Sequence, residues 1–154
     1  MTLRTPFRVA LAFLVLAAAA IVPLAQHAVP ADTTLPPWQP VAGSPGRFNQ
    51  RLVGDRRQPG VFIERVRFPK GFSGAPHAHD VDGYVTILKG ELTVGFGNVV
   101  DSSKVLHVRA GGFIILPKGV PHYEWFREET IEHVEGVGPM TTWYVDSTGR
   151  EKRP

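Results

Sequence analysis

The sequence predicts an all-β fold, a barrel or sandwich of short strands, and three observations carry that expectation. Apolar residues alternate with polar ones in short runs and do not recur at helical spacing. Turn signals interrupt these runs about every ten residues. No convincing amphipathic helix is present beyond residue 31. The 16 glycines and 14 prolines among 154 residues supply the turns such a fold needs. The length suits one domain of ordinary size. A composition that is 43% hydrophobic and 20% charged is that of a globular chain.

The first segment, residues 1–31, is set apart from the domain. Arg4 and Arg8 give it a positive start with no acidic residue, and "VALAFLVLAAAAIVPL" (Val9 to Leu24) is apolar throughout. This is the layout of a secretory signal peptide. Cleavage after "VPA" would leave Asp32 as the new N-terminus. The alternative is an uncleaved anchor, but the run falls short of the ~20 residues that a span requires, and Pro23 interrupts its end. The expected location is therefore exported, periplasmic or secreted. The net charge of +3 loses Arg4 and Arg8 with the segment, leaving 15 basic against 14 acidic side chains. With no basic stripe and no second apolar run, neither nucleic acid nor, after signal removal, a membrane is an expected partner.

Residues 32–47, "DTTLPPWQPVAGSPGR", read as a Pro/Gly-rich extended arm with Trp38 available to dock on the domain. The barrel domain is expected over 48–146. "GVFIERVRF" (60–68) contains an alternating apolar set at Phe62, Val66 and Phe68, with charges at Glu64, Arg65 and Arg67, and reads as a strand with a polar edge. Pro69 to Pro76 reads as a loop. "YVTILKGELTVGF" (84–96) is two strands joined at Lys89-Gly90. "GFGN" and "DSS" break the chain before "KVLHV" (104–108). "GGFIILPKGVPHYEWF" (111–126) is strand, turn, strand, with Gly119 suited to positive φ. "TIEHVEGVG" (130–138) and "TTWYVD" (141–146) are two further strands, and 147–154 is a polar tail expected to be loose.

The chain has no cysteine, so neither disulfides nor thiolate ligands are available. Any bound metal must use imidazole and carboxylate. His77 and His79 are two residues apart, and in a strand residues two apart face the same way. Position 83 shares their parity. His122 follows on a separate strand, with Glu124 two residues further on.

These residues resemble the cupins, small jelly-roll-like β-barrels with two signature segments. The first, G-x5-H-x-H-x3-E-x6-G, aligns with Gly71, His77, His79, Gly83 and Gly90; Gly83 stands where the family has glutamate. The second, G-x5-P-x-G-x2-H-x3-N, aligns with Gly111, Pro117, Gly119, His122 and Phe126; Phe126 stands where the family has asparagine. Every spacing is kept, over roughly residues 58 to 146. "HDVDGYVTILKGELTVGFGN", "LPKGVPHYEW" and "GVGPMTTWYV" resemble small bacterial cupins of no settled activity. The resemblance implies a double-stranded β-helix in which His77, His79 and His122 converge as metal ligands. Neutral imidazole suits Fe, Mn, Co, Ni, Cu and Zn alike. Some cupin dioxygenases bind Fe(II) through three histidines without a carboxylate.

The missing glutamate leaves alternatives. Asp82 and Tyr84 flank Gly83 with the wrong parity, although Asp82 could reach inward from a loop. Glu124 has inward parity and is the candidate catalytic residue, as a base beside the metal or a fourth ligand; otherwise it is a carboxylate at the barrel mouth. His107 reads as an outward strand histidine, and His133 with Glu135 as a surface pair. Tyr123 and Trp125 alternate away from His122. Three functions follow: an exported cupin holding a divalent transition metal and a small-molecule ligand, a mononuclear dioxygenase-type oxidoreductase, or a degenerate, metal-free structural or ligand-binding module. Cupins pair through their strands, which makes a homodimer an expectation.

Overall fold

The computed structural model describes residues 34–146 and 148–152, and the predicted signal segment lies outside them. Twelve strands follow one another: β1 Gln39–Pro40, β2 Phe48–Val53, β3 Gly60–Phe68, β4 Ser73–His79, β5 Gly83–Lys89, β6 Glu91–Phe96, β7 Val105–Arg109, β8 Phe113–Leu116, β9 His122–Trp125, β10 Thr130–Gly138, β11 Thr142–Val145 and β12 Glu151–Lys152. Among the described residues there is no helix. The strands form two six-stranded sheets, in the orders β1-β2-β3-β10-β5-β8 and β12-β11-β4-β9-β6-β7. All pairings are antiparallel.

Alternation explains the core. On β3 the residues of one parity, Phe62, Val66 and Phe68, are buried, and on β5 Val85 and Ile87 are buried. They meet Leu92 and Val94 from β6 of the other sheet in a single apolar cluster. Phe68 stacks on Phe126 with ring centroids 4.1 Å apart. Burying such side chains is the main stabilising contribution in a chain without disulfides, at roughly 1.5–3 kcal/mol each.

Most predicted strands appear where the pattern puts them, and Gly119 has φ 72°. Three segments differ from expectation. The stretch read as a loop up to Pro76 is strand from Ser73 onward. The register of β4 against β9 slips between Gly74 and His77, so β4 carries an extra residue there. A bulge leaves one residue unpaired, which is how a strand accepts a proline that has no N–H to donate. The described part of the arm, from Thr34, is tied down: Gln39 and Pro40 pair with β2, the Gln50 amide donates to the Pro36 carbonyl at 2.5 Å, and the Arg67 guanidinium lies 5.1 Å from the Trp38 ring centroid, where Trp38 was expected to dock. β2 itself lacks a clear alternating signal. The tail returns as β12 because the Asp146 carboxylate accepts hydrogen bonds from the backbone N–H groups of Thr148 and Arg150, both at 2.9 Å, and closes a turn.

Tyr123 packs on the face of its sheet away from His122. Its hydroxyl accepts from the Asp101 N–H at 2.9 Å and donates to the Asp101 carbonyl at 3.0 Å, pinning the loop between β6 and β7. Gly95 is the cross-strand partner of Tyr123, and a Cβ there would run into the tyrosine ring. Gly95→Ala is therefore expected to destabilise the protein by about 2 kcal/mol or more through overpacking. Urea unfolding checks this, and an unchanged midpoint would show that the ring moves aside freely.

Candidate metal centre

His77 and His122 are direct cross-strand partners on β4 and β9, just past the bulge at Ala75–Pro76. His79, two residues along β4, faces the same way and pairs with Thr142 on β11. Ring centroids lie 4.3 Å apart for His77–His122, 5.2 Å for His77–His79 and 5.3 Å for His79–His122. One ring nitrogen from each lies within 4.8 Å of the other two.

The hydrogen bonds decide which nitrogen is offered. His77 Nδ1–H donates to the Ala75 carbonyl at 2.8 Å, and His122 Nδ1–H donates to the Val120 carbonyl at 3.2 Å. A carbonyl only accepts, so both protons sit on Nδ1 and Nε2 keeps its lone pair. His79 Nδ1 is held by the Thr142 hydroxyl at 2.9 Å. His122 Nε2 is buried with no partner. A buried imidazole nitrogen left bare while its ring is anchored through the other nitrogen is the arrangement of a metal ligand with its supporting contacts. Burial, and then the neighbouring His77, bring His122 down to about 4; burial, His77, His122 and Arg56 bring His79 down to about 3. Both are therefore neutral at physiological pH, the form that binds metal.

The three rings open into a cavity of about 560 Å³ between the sheets. Glu124 lines it, as its parity predicts, with its side chain lying across Gly74 on β4. Its carboxylate is not in the cluster of converging ligand atoms, which among the described residues is all imidazole. Asp82 points elsewhere and accepts a hydrogen bond from the Lys118 N–H at 2.7 Å. Gly83 is buried opposite Leu116, a cavity residue, and a Cβ there would meet Leu116 Cβ at an ordinary 3.7 Å. The position vacated by the expected glutamate thus has room for a side chain to start.

His107 is outward and meets Glu91 at 3.0 Å; His133 and Glu135 pair at 3.1 Å on the outer face. Four charged cavity residues were not singled out from the sequence as site residues: Arg47, Arg56, Glu64 and Glu132. Two of them were detectable. Glu64 has the parity of Phe62, Val66 and Phe68, and Glu132 that of Thr130 and Val134, all buried. A charge on the apolar parity of a strand marks a polar interior. Glu64 is neutralised by Arg56 at 3.0 Å. Glu132 has no such partner at its buried Oε1, and burial, then the Glu124 carboxylate, raise its pKa well above the usual range.

Residues 64–132 match the family model of the cupin domain. Oxalate oxidase 1 of Hordeum vulgare is 36% identical to it over 70 residues, covering 43% of this chain and 35% of the relative. The chain spans about a third of the length of such curated relatives. Among solved structures, an RmlC-like cupin from Shewanella frigidimarina superposes with a TM-score of 0.54 at 20% identity, covering 66% of this chain and 83% of the other. Salicylate 1,2-dioxygenase of Pseudoaminobacter salicylatoxidans with gentisate gives 0.54 at 18% identity, covering 68% and 30%. These superpositions show the shared fold.

His79 and His122 give metal-free protein a defined pH response. Their folded pKa values lie below the ordinary histidine value, so their contribution to stability is complete above about pH 6.5 and falls as pH drops toward 4, each by up to about 1.4 kcal/mol per unit. Glu132, raised in the fold by burial and the Glu124 carboxylate, works in the opposite direction. In chelator, urea unfolding is expected to show stability falling as pH drops from 6.5 to 5, and falling more steeply in Glu132→Gln. A flat profile in both proteins would mean the imidazoles are not held neutral by burial.

Proposed function

We propose that the protein is an exported cupin that binds a divalent transition metal through His77, His79 and His122 and presents it to a small-molecule ligand in the cavity between the sheets. The observation that supports this most directly is the convergence of three imidazoles, two with their Nδ1–H groups committed to backbone carbonyls and one with a buried, unpartnered Nε2. Such a donor set fits Fe, Mn, Co, Ni, Cu or Zn. Export rests on the segment 1–31 and predicts a mature N-terminus near Asp32.

A second reading, a dioxygenase-type oxidoreductase, is favoured by the carboxylate of Glu124 beside the rings and by the oxidase and dioxygenase names among the similar proteins. A redox-active ion, when bound, would supply Lewis-acid and one-electron chemistry. The chain's own part would be to hold the ligand against apolar walls and to accept a proton at Glu124. The third reading, a metal-free module, competes with both.

Metal content decides between them. The mature protein, purified without a histidine tag from metal-replete cells, is expected to contain about one equivalent of transition metal, with His79→Ala losing at least tenfold in affinity. Elemental analysis followed by electron paramagnetic resonance makes the measurement, and near-zero occupancy in the wild type would establish the metal-free module.

Gly83→Glu tests the donor set. An added carboxylate among imidazoles is expected to tighten binding of Mn, Fe or Co about tenfold and to raise stability in excess metal by about 1.4 kcal/mol. Metal titration of Gly83→Glu and Glu124→Ala separates this from a site in which Glu124 swings in as the fourth ligand. In that case Glu124→Ala releases metal and Gly83→Glu adds nothing.

A further inference from the structure

Besides Glu64 Oε1, which is ion-paired with Arg56, two more buried polar atoms of cavity residues are not used by the metal centre. Nε of Arg47 and Oε1 of Glu132 are buried and make no hydrogen bond. Both residues line the same cavity as the three histidines. Arg47 comes from the arm just before β2, and Glu132 from β10 in the middle of the first sheet. Glu132 is only 5% exposed. The Arg47 guanidinium is held 5.0 Å from the Phe68 ring centroid and is close enough to favour ionisation of Glu132, yet neither orphaned atom finds the other. A buried donor or acceptor without a partner costs about 1–3 kcal/mol, so a fold that keeps two of them on residues lining one cavity has a use for them.

We infer that Arg47 and Glu132 form a second binding locus in the cavity, one that takes the carboxylate of a small organic acid whose other end faces the histidines. The charges select this class. Glu64 is already paired with Arg56, which leaves Arg47 as the positive group available to a ligand and Glu124 as the competing negative one. Glu132 lines the same cavity, and burial with the Glu124 carboxylate pushes it toward the protonated acid, a form that can donate a hydrogen bond. One guanidinium N–H and one carboxylic O–H match the two oxygens of a carboxylate. A phosphate dianion would bring more charge than Arg47 balances, next to Glu124. Val66, Phe68, Val85, Leu116 and Val134 supply apolar walls for the body of the ligand, and about 560 Å³ is enough for a molecule of this size.

The locus deepens the cavity reading proposed above, and its test is run without metal, so that loss of metal binding and loss of acid binding fail separately. Malonate and benzoate are titrated into chelator-treated protein by calorimetry, with malonamide and benzamide as neutral counterparts. At least one acid is expected to bind while its amide does not. Arg47→Met should weaken that binding at least tenfold, because the charge-assisted bond is lost. Glu132→Gln should stay within about threefold, because the amide still donates. In the wild type, the Arg47 Nε–H resonance should shift on adding the acid; Arg47→Lys, which lacks this group, assigns it. That readout serves even if Arg47→Met does not fold. If neither acid binds, if the amides bind as well as the acids, if Arg47→Met keeps wild-type affinity, or if the Nε–H resonance stays still at saturation, the inference is overturned.

Discussion

The pairing of β4 with β9 is the constraint on which the site depends. It places His77 directly opposite His122, and it does so only because β4 carries one residue more than β9 between Gly74 and His77. Without that bulge the register would shift by one, and a one-residue slip in a strand turns every later side chain to the other face. His77 and His79 would then point away from the cavity. The same irregularity accommodates Pro76, and Ala75 beside it supplies the carbonyl that fixes the His77 ring. A short proline-containing stretch thus sets strand register, ring orientation and tautomer together.

The interior of the barrel is costly to maintain as it stands. Two imidazoles are held neutral by burial, a buried glutamate is pushed toward its protonated form, and an arginine–glutamate pair is buried at its acidic end. Replacing such groups by well-packed apolar residues is often neutral or stabilising. The apolar cluster contributed by both sheets, with the Phe68–Phe126 stack at its edge, offsets that cost. The two meet at the cavity: Val66, Phe68, Val85, Leu116 and Val134 of the apolar cluster form part of its wall, and polar side chains from β3, β4, β9 and β10 form the rest. Polar groups concentrated in one cavity, with bare donors and acceptors among them, distinguish a binding site from a packing defect.

The ends of the chain also take part. Arg47 and residues 41–45 line the cavity, so the segment before β2 forms part of its wall. Its proline and glycine content suggested an arm outside the domain. The backbone instead turns, with the Arg47 N–H donating to the Ser44 carbonyl at 3.1 Å, and this turn delivers the guanidinium over Phe68.

Much of the fold was legible because strand periodicity is local. β3, the β5–β6 hairpin, β10 and β11 each announce themselves by alternation within a few residues, and the spacing from Gly71 to His122 marks the cupin domain and its three histidines. The parity of Glu124 with His122 was equally local. β4 was hidden, because proline and glycine signal a loop and a bulge in the same way. β2 and β12 were hidden because short strands at a sheet margin are specified by their partners. The sequence by itself determined an all-β cupin domain with three imidazoles of matching inward parity. Tertiary structure alone decided that Glu124 stays outside the ligand cluster, that Glu64 is matched by Arg56, and that Arg47 and Glu132 face one cavity. These are meetings between residues far apart in the chain, and both distance and desolvation depend on how the two sheets close over one another.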